Sequence, residues 1–135
     1  MFYNWLSQPI RKKPSMSKRN IVHIEIPAAD SDKAGKFYQE LFGWKIETDT
    51  KMNYTMWSPD QAPGGGFSPL DEFVKPGDVL IYVDSEDIEA DLKQIKALGG
   101  TPLSEKLEIP HIGWYALFKD PTGNILALYT SMNPV

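Results

Sequence analysis

From Asn20 onward the chain states one pattern twice. "IVHIEIPAADSDKAGKFYQELFGWKIE" lines up with "DVLIYVDSEDIEADLKQIKALGGTPL": an alternating apolar run, Asp-Ser, a helical run, then glycine. In this alignment Asp30-Ser31 falls against Asp84-Ser85, and Gly43 against Gly99. A repeat of roughly 50 residues constrains the whole fold, because each copy is a unit that cannot bury its apolar face alone. Ile24 and Ile26 alternate with His23, Glu25 and Pro27, while Val79, Ile81 and Val83 alternate with Asp78, Leu80 and Tyr82. One face of each strand is therefore expected in the core. Ser31 and Ser85 sit where an N-cap hydroxyl belongs, and Asp32, Glu86 and Asp87 suit the positive end of a helix. Ala34, Phe37, Tyr38 and Leu41 in the first helix, and Ile88, Leu92 and Ile95 in the second, recur at helical spacing and are expected as core.

Three short strand-like pieces follow each helix: "KIETDT", "YTMWS" and "GGGFS" in the first half, "TPLSEKLE", "WYALFKD" and "ILALYTS" in the second. Each half thus reads βαβββ. The expected fold is α+β, with tandem βαβββ modules forming one curved mixed sheet. Module 1 covers about 20–69 and module 2 about 77–131, within a domain spanning 20–135. Residues 1–19 carry five basic residues and no acid, and read as a flexible basic arm. The remainder holds nine basic against eighteen acidic residues, a balance that argues against a phosphate-tracking nucleic-acid surface. The chain has no cysteine, which excludes a disulfide framework, a thiolate metal site and a cysteine nucleophile. Its apolar runs fall far short of the ~20 residues a membrane span needs. A soluble, cytoplasmic protein is expected.

"HIEIPAADSDKAGKFYQELFGW" in the first half and "GWYALFKDPTGNILALY" in the second, together with the repeat, resemble the vicinal oxygen chelate superfamily. That group holds glyoxalase I, bleomycin-resistance proteins and extradiol dioxygenases, and the resemblance covers Ile21 to Thr130. It implies a glyoxalase-like fold and a homodimer. It also implies, for metal-bearing members, a ligand in the first strand of each module and a carboxylate in the last. His23 falls at the first of these positions, and Asp78 is its counterpart by count from Val83-Asp84. The stretch "GGGFS" has no acid, and Ala127 stands where the second carboxylate belongs. No cofactor is therefore expected, with His23, Glu25 and Asp78 as the candidates for a rearranged metal site and His111 as a more distant one.

Strand alternation puts His23, Glu25 and Tyr82 on one face with Tyr115, Ala127 and Tyr129, and Tyr54, Trp57 and Trp114 are further aromatic candidates. His23, Glu25, Tyr82, Tyr115, Tyr129 and Trp57 are the expected ligand-binding residues, on a mostly apolar concave wall. The expected function is metal-independent binding of a small molecule. The alternative is a lyase or isomerase using His23 as general base with Glu25 beside it. Gly64-Gly65-Gly66 lacks the features of a phosphate loop, and reads either as a bend or as a place of close ligand approach.

Overall fold

The computed structural model describes residues 18–133. The expected basic arm lies outside the described residues apart from Lys18 and Arg19. The order of elements is β1 (Ile21–Pro27), α1 (Ser31–Phe42), β2 (Lys45–Asp49), β3 (Tyr54–Ser58), β4 (Gly64–Ser68), β5 (Leu80–Asp84), α2 (Ile88–Ala97), β6 (Thr101–Pro102), β7 (Leu107–Ile109), β8 (Gly113–Lys119) and β9 (Ile125–Ser131). The nine strands form one curled mixed sheet in the order β2-β3-β4-β1-β5-β9-β8-β6, and β7 extends the β6 edge along β8. "TPLSEKLE" is thus two strands rather than one.

The order is the same read from either edge toward the centre. β1 pairs parallel with β4 in the first half, as β5 does with β9 in the second, and β1 meets β5 antiparallel in the middle. Ile24 lies opposite Ile81, His23 opposite Tyr82 and Glu25 opposite Leu80. A pseudo-two-fold axis through the Ile24/Ile81 pair therefore makes His23 equivalent to Leu80, and Glu25 equivalent to Tyr82. The helix caps obey the same rule. Asp30 caps α1 by accepting from the Lys33 N–H, and Asp87 caps α2 by accepting from the Ala90 N–H.

This corrects the alignment read from the sequence. The caps are Asp30 and Asp87, not Ser31 and Ser85. Ser85 is buried before α2 begins, where its hydroxyl donates to Asp91 at 2.6 Å. Arg19 grips both oxygens of that carboxylate, Nη1 donating at 2.5 Å to the same Oδ2 and Nη2 at 2.9 Å to Oδ1, and tethers the start of β1 to α2. The guanidinium holds the Asp91 carboxyl below its ordinary range.

Both helices cover the same face of the sheet. α2 packs Ile88 against Ala116 and Leu128, with Leu92, Ile95, Trp114 and Phe118 around them. Under α1 the contacts are Gly35 on Ile46, Tyr38 stacked on Phe67, and Trp44 stacked on Trp57 at 4.4 Å between ring centres. α1 therefore seats its small side and its tyrosine. Phe37 and Leu41, expected as core, are 57% and 59% exposed. No helix among the described residues is long and apolar enough to cross a membrane.

Ile88 is 1% exposed, so Ile88→Ala should cost about 2–5 kcal/mol of unfolding free energy, through lost burial and the cavity left behind. Phe37→Ala and Leu41→Ala should each stay within about 0.5 kcal/mol, as surface changes do. Urea unfolding of the three variants checks this contrast.

Candidate functional site

The face opposite the helices is set by strand parity. Tyr54 and Met56 of β3, Gly64 and Gly66 of β4, His23 and Glu25 of β1, Leu80 and Tyr82 of β5, Ala127 and Tyr129 of β9, and Tyr115 and Leu117 of β8 all point to it. Its polar centre is Glu25. Tyr54 donates to one carboxylate oxygen, Oε2, at 2.8 Å, and Tyr82 donates to the other, Oε1, at 2.9 Å. His23 reaches the same Tyr54 hydroxyl with Nε2 at 2.8 Å and meets the Tyr82 ring edge-on, 5.2 Å between centres. Tyr115 extends the aromatic wall, 6.5 Å from Tyr82.

Burial and the Glu25 carboxylate both raise the Tyr54 and Tyr82 pKa values, burial being the larger cause, so the phenols hold their protons through the ordinary pH range. Burial lowers the His23 pKa, against an opposing pull from Glu25, which keeps the ring neutral near pH 7.

The structure brings together His23, Glu25, Tyr82 and Tyr115 among the residues expected from sequence, and adds Tyr54 as the link between His23 and Glu25. Tyr129 shares the face further along β9, where its hydroxyl leans 3.4 Å from the Ile112 carbonyl. Trp57 does not belong to the site. It lies on the helix side of β3, 4% exposed, its indole N–H donating to the Gly66 carbonyl at 3.0 Å. Trp114 also packs on the helix side, against the α2 core. Asp78 precedes β5, in a loop where its carboxylate accepts from the Lys75 N–H at 3.0 Å. His111 sits exposed in the turn before β8.

The triple glycine proves to be a matter of clearance. A Cβ on Gly66 would collide with the Tyr54 hydroxyl and ring, and one on Gly65 would collide with the Ile24 carbonyl and come 2.6 Å from the Trp57 ring. Gly66 pairs with Glu25 as Ala127 pairs with Tyr82, so Gly66 and Ala127 are equivalent. The four positions where metal-bearing relatives are expected to carry ligands are thus His23, Gly66, Leu80 and Ala127. Three have no donor, and Nε2 of His23 is turned to a phenol. Among the described residues no group of three or more His, Cys, Asp or Glu is placed to hold a metal ion. The residues present do not fit the family's metal.

An open depression of about 480 Å³ lies elsewhere, at the start of α1, lined by Pro27, Asp30, Lys33 and Phe37 among others. It holds no comparable polar cluster, and Asp30 there is engaged in capping the helix.

Comparison with known proteins agrees with this architecture. Residues 20–58 match the family described as bleomycin resistance protein-like N-terminal. A glyoxylase-like domain-containing protein of Didymella fabae is 33% identical over 116 residues, covering 79% of this chain and 90% of that protein. The chain belongs to the vicinal oxygen chelate superfamily. Within this superfamily the fold is shared with a glyoxalase/bleomycin resistance protein/dioxygenase superfamily member from Vibrio splendidus 12B01, at TM-score 0.62 and 14% identity over 84% of this chain and all (100%) of that one. It is also shared with methylmalonyl-CoA epimerase from Mycobacterium tuberculosis, at TM-score 0.64 and 16% identity over 91% and 94% of the two chains.

Gly66→Ala should destabilise the protein by about 1–3 kcal/mol, as overpacking does, and by clearly less in a Tyr54→Ala background. A double-mutant cycle in urea reads that coupling. His23 has a folded pKa below its ordinary value, so its contribution to stability is complete above about pH 6.5 and lost as pH falls through that region. Melting curves between pH 7.5 and 5.5 should show a loss on acidification that His23→Gln reduces.

Proposed function

We propose that this protein binds a small, flat, mostly apolar molecule on the concave face without the help of a metal. The observation that carries the reading is a hydrogen-bonded His23-Tyr54-Glu25-Tyr82 cluster on a sheet face that neither helix covers. A half-buried carboxylate held by two phenols, set in a wall of Leu80, Leu117, Ala127 and aromatic rings, is the make-up of a ligand site: much apolar surface with a few placed polar groups. The donor-poor ligand positions support the metal-free part of the reading.

A second reading has one specific observation in its favour. A neutral, partly buried histidine beside a carboxylate network suits a general base, as a lyase or isomerase of this fold would use. Substitution separates the two. Binding alone predicts that His23→Ala weakens affinity, whereas base catalysis predicts a loss of turnover of about a hundredfold or more. The reading also includes the homodimer that the family resemblance implies, which light scattering tests.

A thermal-shift screen of aromatic compounds is expected to yield hits whose affinity Tyr82→Ala lowers about tenfold or more, through loss of a ring wall and of a donor to Glu25. Elemental analysis is expected to find less than stoichiometric metal. Hits indifferent to Tyr82, or a full equivalent of zinc, nickel or iron that His23→Ala removes, would sink the proposal.

A further inference from the structure

Each phenol of the cluster has one proton. Tyr54 gives its proton to Oε2 of Glu25 and Tyr82 gives its own to Oε1, so both carboxylate oxygens are acceptors already supplied. With its proton committed, the Tyr54 oxygen can only accept from His23, and Nε2 of His23 must therefore carry a hydrogen. In a neutral imidazole the other nitrogen then holds a bare lone pair. Nδ1 takes no partner among the described residues, and no buried polar side-chain atom among them lacks one, so Nδ1 keeps access to solvent. Every proton of the cluster points inward to Glu25. What faces outward is acceptors: Nδ1 of His23 and the remaining lone pairs of the Tyr54 and Tyr82 oxygens.

From this accounting the structure assigns the chemistry of the ligand: its polar end is a hydrogen-bond donor, an organic cation such as an amidinium or ammonium, or a neutral N–H group, received by Nδ1 of His23 and the Tyr82 oxygen. This rests on the binding reading above and narrows it. A carboxylate or phosphate would bring acceptors to acceptors and a second negative charge to Glu25, with no basic side chain bonded into the cluster to offset it. A cation gains charge-assisted bonds at the same place. Tyr115, whose hydroxyl has no hydrogen-bond partner among the described residues, stands beyond Tyr82 and offers either role to a more distant part of the ligand.

Two measurements on the full chain test the assignment. Nitrogen-15 spectra of the imidazole in ligand-free protein at pH 7.5 should show His23 as the Nε2–H tautomer, and Tyr54→Phe, which keeps the ring but removes the acceptor, should mix the two tautomers. Benzamidine and benzoate are then titrated separately, being near-isosteric rings with donor and acceptor heads. Benzamidine should shift the His23 Nδ1 resonance and bind about tenfold or more tighter than benzoate. A dominant Nδ1–H tautomer, or a response to benzoate rather than benzamidine, overturns the assignment. The expected tautomer with silence toward both probes overturns the recognition step together with the binding reading, so the two failures are told apart.

Discussion

The antiparallel pairing of β1 with β5 sets the position of everything else on the sheet. With Ile24 opposite Ile81, each half adds its remaining strands outward in the same order, and the two helices fall on one side. A slip of one residue in that pairing would turn His23, Glu25 and Tyr82 toward the helices and send Ile24 and Ile81 to the open face. The isoleucines, half-buried on the helix side of the sheet, favour that register. The polar residues between them are free to specialise only because that register holds.

Much of this was legible in the sequence. The repeat announced two βαβββ halves, and the alternation of "IVHIEIP" put His23 and Glu25 on one face. Asp-Ser misled the comparison of the halves, because Ser31 opens a helix while Ser85 is buried ahead of one, tied to Asp91. Counting back from Val83-Asp84 points to Asp78 as the counterpart of His23, whereas the strand register makes it Leu80. Trp57 failed on parity: β3 shows Tyr54 and Met56 to one side and Thr55 and Trp57 to the other, so Tyr54 and Trp57 could never share a face. Nothing local in "YTMWS" says which side is which. That choice is made by Trp44 and the helix above it. The exposure of Phe37 and Leu41 was hidden in the same way, since helical spacing reports an apolar stripe and not what covers it.

Glu25 is where electrostatics and packing meet. A carboxylate withdrawn from water is costly unless its oxygens are supplied with donors, and here two tyrosines from different strands supply one each. The phenols are in turn held protonated by their burial and, secondarily, by the charge they solvate. Clearance at Gly66 lets the Tyr54 hydroxyl into this arrangement, so a position that a metal-bearing relative would fill with a ligand is used here for a hydrogen-bonded network.

The two halves differ at the face in three matched places: His23 against Leu80, Glu25 against Tyr82, and Gly66 against Ala127. Strand register makes Tyr54 equivalent to Tyr115, and Gly66 equivalent to Ala127. Tyr54 crosses over its glycine to reach Glu25. Ala127 carries a Cβ at the matching place in the second half, and the Tyr115 hydroxyl joins no such network among the described residues. A scaffold with near two-fold symmetry thus presents a surface with a direction, its hydrogen-bonded cluster centred on β1 and its β9 side lined by Ala127 and the rings of Tyr115 and Tyr129. An elongated guest laid across a symmetric trough could sit either way round; across this one the two poses would be unequal, because His23 and Glu25 face Leu80 and Tyr82 across the pseudo-two-fold and the missing carbon at residue 66 lets Tyr54 join them.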